Sequence, residues 1–293
     1  LDFGKEFTVE MGQPGQEQRI FTGRIMGLEA QYSATQPPQI IVLAEDSLQD
    51  LSKTRRTRTF NDVSLDNVVQ EIASEYELQA EVDVDSPHYE LLAQLNQSDL
   101  AFLRQLATAV DAELWIEENS LHCQARTRRN AGMVQLQYGG NLLEFRVLAD
   151  LSQQRSSVRA SGWDVENKEA IDEEAGEASI AGELDGLRSG SAVLEQALGS
   201  RPEQIVSSTP LSRDEAEVEA QAQYRQRARR FVSGTGTAVG PANMRVGSRV
   251  ELMGLGEYFN GSYYVHFVRH VFNLSDGHRT IFKVERPGLG EPS

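Results

Sequence analysis

Tyr258-Phe259-Asn260-Gly261-Ser262-Tyr263-Tyr264 places an Asn-Gly pair between two aromatic doublets. Asn-Gly flanked by apolar residues is the strongest short-range hairpin signal, because both residues tolerate the positive φ of a tight turn. Upstream, Arg249–Met253 reads as a strand broken by Gly254-Leu255-Gly256. Downstream, Ser262–Phe272 reads as a long strand, Ser275-Asp276-Gly277 as a turn and Arg279–Arg286 as a closing strand, proline-free until Pro287. The block Gly234–Arg286 is therefore expected to be a continuous antiparallel meander forming one wall of a β-barrel. The Gly234-Thr235-Gly236-Thr237-Ala238-Val239-Gly240 run is not a phosphate loop, since it leads into strands instead of opening a helix. Its glycines read as turn formers.

Working outward, Leu142–Val147 and Ser157–Trp163 alternate as strands. Ser212 with Glu215 forms a capping-box pattern, opening a helix with a stripe of Ala216, Ala220, Tyr224, Ala228 and Phe231. Asp214 and Glu215 at its start and Arg225, Arg227, Arg229 and Arg230 at its end suit the helix dipole, and Gly234 is read as ending it. Residues 131–165 and this helix are expected to complete the barrel. Between Asp164 and Ile205 eleven acidic residues face three basic ones, a net −8 out of −16. The segment 166–205, rich in Glu, Ala, Gly and Ser, is read as a mobile or only locally helical insertion.

Residues 1–46 are strand-like: Phe7–Met11, a turn at Gly12-Gln13-Pro14-Gly15, then Ile20–Tyr32. A Pro37-Pro38 loop follows, and Gln39–Ala44 reads as a buried strand. Three strands cannot close a barrel. The chain thus reads as starting inside a domain, with either further strands upstream or pairing to the C-terminal block. From Asn61 the period becomes helical. Ser64 caps a helix carrying Leu65, Val68, Val69, Ile72, Ala73 and Tyr76, and Ser98 caps one carrying Phe102, Leu103, Leu106, Ala107 and Val110. The hairpin Glu113–Glu117, Glu118-Asn119, Ser120–Ala125 completes a helix–helix–hairpin insert. The expected fold class is mainly β with an α+β insert. Its parts are 1–60 as a partial first β-barrel, 61–130 as the insert and 131–293 as a second barrel.

Composition narrows function. The chain has 293 residues and net charge −16, which disfavours general nucleic-acid binding. Basic clusters at Lys53–Arg58, Arg126–Arg129 and Arg225–Arg230 read as solvated or subunit-facing. No apolar run reaches the roughly 20 residues of a membrane helix, and a single cysteine excludes an internal disulfide framework. His266 and His270 share a strand face roughly 13 Å apart at 3.3 Å per residue, too far to hold one metal without a partner between them. Both read as barrel-wall residues, and Cys123, beside His122, as a half-buried structural thiol. No catalytic, cofactor-binding or metal-binding residue is assigned, and no cofactor is expected. Any carboxylate pair for glycoside hydrolysis would have to be selected by spacing in space, which the sequence does not display.

Three stretches, taken together, resemble a known family. They are Arg58-Thr59-Phe60-Asn61-Asp62-Val63-Ser64, then Gln97–Ala107 with its Leu114-Trp115-Ile116 and Leu121-His122 hairpin. The third is Phe259–Val265, followed by His270 and Arg279-Thr280-Ile281-Phe282. With Ser161-Gly162-Trp163-Asp164 between them, their order resembles the late control protein D family of phages and the VgrG-like baseplate hub proteins of contractile injection systems, over residues 3–290. That resemblance implies a non-enzymatic hub of two tail-tube-like antiparallel β-barrel domains per subunit, the first truncated here. Three subunits then make a pseudo-sixfold ring that adapts a hexameric inner tube to a threefold spike. It further implies self-association as a homotrimer and contacts with the inner tube protein, a spike and other baseplate components. Assembly would take place in the bacterial cytoplasm, with residence in a virion tail or injection particle and no membrane insertion. The last residues, Pro287–Ser293, read as a linker where a spike would begin. Two other readings stand beside it: a tail-associated cell-wall hydrolase, and a carbohydrate-binding module stacking sugars on Tyr258, Tyr263 and Tyr264.

Overall fold

The structure, a computed structural model, describes residues 2–12, 15, 17–164, 167–206, 210 and 212–291. Gln13 and Pro14 of the expected first turn, and the terminal Pro292-Ser293, lie outside the described residues. The protein is mainly β. Strands β1 (Glu6–Met11), β2 (Gln18–Gln31) and β3 (Gln39–Glu45) form a separate antiparallel sheet in the order β1-β2-β3. They pair with no strand of the C-terminal block among the described residues. The expectation that β3 is buried fails: Ile40 is 64% and Leu43 51% exposed.

The insert is richer than helix, helix and hairpin. Strand β4 (Arg55–Ser64) runs into α1 (Leu65–Glu75), followed by β5 (Gln79–Asp83) and β6 (His88–Ser98). Then come α2 (Asp99–Ala109), β7 (Ala112–Glu117) and β8 (Ser120–Ala125). β4 pairs with β6, and β5 and β7 flank β8. Both helices begin at the expected caps. The Ser64 hydroxyl accepts from Asn67 N while the Asn67 side chain accepts from Ser64 N, a reciprocal box; Ser98 Oγ accepts from Ala101 N. Leu65, Val68, Val69, Ile72 and Ala73 are fully buried against Leu103, Leu121 and Cys123. At about 25 cal/mol per Å² such a stripe contributes of order 2 kcal/mol per large side chain. Phe60 stacks on Phe102 at 5.7 Å between centroids.

Strands β9 (Met133–Gln137) and β10 (Leu142–Ala149) are the two edges of a six-stranded sheet, ordered β10-β15-β18-β17-β16-β9. After β10 come β11 (Val158–Asp164), β12 (Glu169–Ala175), α3 (Ala181–Leu184), β13 (Arg188–Ser189), α4 (Gly190–Leu198), β14 (Glu203–Ile205) and α5 (Arg213–Arg229). Next come β15 (Val232–Val239), β16 (Arg249–Met253), β17 (Gly261–Asn273), β18 (Gly277–Arg286) and β19 (Gly288–Leu289), the last pairing with β13. Five Cα steps from Gln137 to Leu142 span at most about 19 Å. Six flat strands would hold their edges about 24 Å apart. The sheet must therefore curl, and it forms a half-barrel. Asn141 clasps the two edges: its Oδ1 accepts from Gln137 N at 2.8 Å and its Nδ2 donates to Gln135 O at 3.1 Å. Asn141→Ala is expected to lower the unfolding free energy by about 1–2 kcal/mol; a urea midpoint equal to the parent's would contradict the clasp.

Several expectations are corrected here. The strands expected at 249–286 do form an antiparallel meander, β16-β17-β18, but β15 adds beside β18 and not beside β16, so the block from Gly234 is not one continuous meander. Asn260-Gly261 does not form a two-residue turn: residues 254–260 make a longer loop in which Asn260 Oδ1 accepts from Leu255 N. Gly234 neither ends the helix nor makes a turn. It lies in β15 with Gly236, where a methyl group would clash with Phe145 and Phe282; only Gly240 of that run has a positive φ, +70°. β11 and α5 do not complete the barrel. β11 is the centre of a second sheet, β12-β11-β14, on which the Ala216, Ala220, Tyr224 and Ala228 stripe of α5 packs. The acidic segment is accordingly folded, with Ile171, Ile180, Leu194 and Ile205 buried. Its core hides in sparse isoleucines among small residues, while carboxylates such as Asp172 and Glu174 face outward to Arg159 and Glu183 turns inward to Arg229.

Candidate assembly surfaces

Small, exposed and apolar: the β1–β3 sheet departs most from an ordinary protein surface. β1 and β3 are both unpaired on their outer sides among the described residues. Register puts Leu28 opposite Val42 and Ala30 opposite Ile40 on one face, while Leu43 sits on the other. Leu28, Ile40, Leu43 and Tyr32 are exposed, Tyr32 by 83%. Open edges with apolar side chains on both faces favour strand addition and burial by another polypeptide.

Most arginines of the basic clusters are engaged within the chain. Arg56 and Arg58 reach from β4 to Glu75 of α1 and to Asp99 at the start of α2. Asp99 is fully buried and also accepts from Tyr76 Oη at 2.7 Å and Gln94 Nε2 at 2.8 Å. Burial, then this bond, pushes the Tyr76 hydroxyl up to about 12. Arg126 pairs with Glu285, Arg128 with Asp83 and Asp85, and Arg129 with Glu113. Arg225 donates to Ser179 O, Arg227 to Glu203, and Arg229 to Asp111 and Glu183. The expectation of solvated clusters holds for Lys53, Arg55, Arg128 and Arg230, which are exposed, and fails for the rest. Arg126 ties the insert to the half-barrel through Glu285, and Arg229 ties α5 to Asp111 of the insert and to Glu183.

Tyr263 and Tyr264 are buried. Tyr263 Oη donates to Phe259 O at 2.8 Å, and Tyr264 Oη to Glu113 at 2.6 Å, tying β17 to the insert. Only Tyr258 of the three tyrosines is exposed, so no aromatic sugar platform exists there. Cys123 is completely buried, beyond the half-burial expected, and desolvation pushes its thiol up to about 12. His266 lies exposed on β17, as a wall residue. His270 instead meets a residue the sequence left unconnected: its Nδ1 lies 3.1 Å from His278 Nε2, and its Nε2 3.1 Å from Met244 O. The diagonal register of β17 and β18 brings them together. Among the described residues no three metal-ligating side chains converge, and no helix is long and apolar enough to cross a membrane.

Both histidines titrate below the ordinary 6.5, His270 through burial, then His278 and Arg245, and His278 through burial, then Arg279. A depressed folded pKa contributes stability that is complete above the unfolded value and lost as pH falls through the folded one. The protein is therefore expected to lose stability as pH drops from about 6.5 toward 5, and His270→Gln/His278→Gln to lose less. Urea midpoints at the two pH values check this; an identical pH dependence for both proteins would contradict it.

Residues 2–273 match the family described as the Alg8 N-terminal domain. The chain belongs to that family. No curated protein matches it in sequence. The fold is that of phage tail proteins. The 43 kDa tail protein of prophage MuSo2 from Shewanella oneidensis superposes with a TM-score of 0.71 at 14% identity, covering 98% of this chain and 84% of that one. A tail protein of Neisseria meningitidis MC58 gives 0.67 at 13% identity, covering 97% and 88%. An Escherichia coli component of the type VI secretion system, described as similar to the T4 bacteriophage tail proteins gp27 and gp5, gives 0.61 at 10% identity, covering 98% and 66%.

Proposed function

We propose that this member of the Alg8 N-terminal domain family is a structural, non-enzymatic hub of a contractile tail-like apparatus, assembling as a homotrimer. Each subunit contributes the half-barrel and the β1–β3 sheet, so three subunits present six sheet units to a hexameric inner tube on one side and a threefold spike on the other. The observation that carries this reading is the β1–β3 sheet, whose open edges and apolar faces need a neighbour. The fold shared with phage tail proteins and the motif order that resembles the late control protein D and VgrG-like hubs support it. The setting is a tail particle assembled in a bacterial cytoplasm. Light scattering is expected to return three times the 32.5 kDa chain mass, and Leu28→Glu/Ile40→Glu the mass of a single chain. A monomeric parent, or a trimer untouched by the two charges, would count against the reading.

A further inference from the structure

A cleft of about 690 Å³ opens between Ala181–Leu187 and the ends of β16, β17 and β18, lined by Arg229, Arg249, Arg286, Ser262 and Gly261 among others. Three arginines and three carboxylates line it, but two of the carboxylates are already bound. Glu183 is taken by Arg229, with both carboxylate oxygens at 2.7 Å, and Glu285 by Arg126 at 2.6 Å. Arg249 has no ion pair and no hydrogen-bond acceptor among the described residues, and lies only over the Tyr264 ring, 5.1 Å from its centroid. Arg286 is 3% exposed and donates to two uncharged carbonyls, Tyr258 O at 2.7 Å and Asn260 O at 2.9 Å, while its Nε finds no acceptor. Asp185, on the rim, is exposed. The Ser262 hydroxyl is without a partner among the described residues, and a side chain at Gly261 would press on Arg286 Nη1. Two guanidiniums thus face one cleft with no carboxylate in contact with either, Glu183 attracting Arg249 and Glu251 attracting Arg286 only from beyond ion-pair distance, in a place where desolvation makes a charge without a bonded partner expensive.

We propose that this cleft binds an oxyanion, a carboxylate or a phosphate, held on the Arg249 fork with the Ser262 hydroxyl donating and Arg286 forming the positive back wall. A planar guanidinium fits either anion with two parallel N–H···O bonds, and reduced solvent access strengthens them. The net charge of −16 repels anions in general, so binding there comes from a local site and not from long-range attraction. The site goes beyond the hub reading and does not depend on it.

Calorimetric titration of the whole chain, at low ionic strength, with inorganic phosphate, acetate and a short acidic peptide tests the proposal. Saturable one-to-one binding is expected, weakened roughly tenfold or more by Arg249→Met, as loss of a charge-assisted bidentate contact implies. Arg249→Lys, which keeps the charge and loses the fork, is expected to weaken it less, and Arg159→Met on β11 to leave it unchanged. Phosphate binding tighter than the peptide identifies a free phosphate as the source; the peptide binding tighter than acetate identifies a polypeptide carboxylate. No saturable binding by any of the three, or Arg249 variants that bind like the parent, would overturn the proposal.

Discussion

Replacing Arg229 by methionine is expected to lower the unfolding free energy by about 3–5 kcal/mol, the usual cost of breaking a buried ion pair from one side. Arg229 is 2% exposed and its guanidinium holds Asp111 at 2.6 Å and Glu183 at 2.7 Å, which are 5% and 10% exposed. Burial opposes its charge, but the bonds to Glu183 and then Asp111 outweigh it and raise its pKa. The same bonds hold Glu183 below its ordinary value against burial, whereas burial wins at Asp111 and raises it. Methionine would fill much of the volume yet strand two carboxylates in the interior. Arg229→Met/Asp111→Asn/Glu183→Gln should therefore recover much of the loss; asparagine also tolerates the φ of +57° at position 111. Urea unfolding of the three proteins decides it. A single variant within about 1 kcal/mol of the parent would show that the triad does not hold the modules together.

The second large effect is expected in the half-barrel. Gly236 lies between Phe145 on β10 and Phe282 on β18, its partner on each side. The two rings close over it with centroids 6.3 Å apart, and Tyr263 meets Phe145 edge-on at 6.1 Å. Phe282, with no exposed surface, is expected to cost about 3–5 kcal/mol when cut to alanine. A Cβ at Gly236 would fall 2.5 Å from Phe282 Cζ, so Gly236→Ala is expected to cost about 1–3 kcal/mol by overpacking. Phe282→Leu should relieve that clash, making the double variant less destabilised than the sum of the singles. Strict additivity would mean that Gly236 matters only as a flexible link.

These two results mark the boundary of what local sequence conveys. The caps at Ser64, Ser98 and Ser212, the stripes of α1 and α2 and the β7–β8 hairpin were legible because their determinants lie within a few residues. The β4–β6 ribbon was not, because the alternation of Arg56 and Arg58 with Thr57 and Thr59 looks like a basic patch until Glu75 and Asp99 are seen beneath it. Arg229 and Asp111 stand 118 residues apart, and no periodicity links them. The glycines of β15 resembled turns because the rings that require them sit on other strands. The exposed β1–β3 sheet was legible only as an incomplete barrel. Its apolar residues spoke for burial, which the described residues do not supply.

Electron cryomicroscopy of the chain assembled with its inner tube protein tests the central claim most directly. The account predicts a threefold ring coaxial with the tube, with Leu28, Ile40 and Val42 of each β1–β3 sheet buried against a neighbouring subunit. A particle in which that sheet faces solvent, or from which the ring is absent, would contradict it.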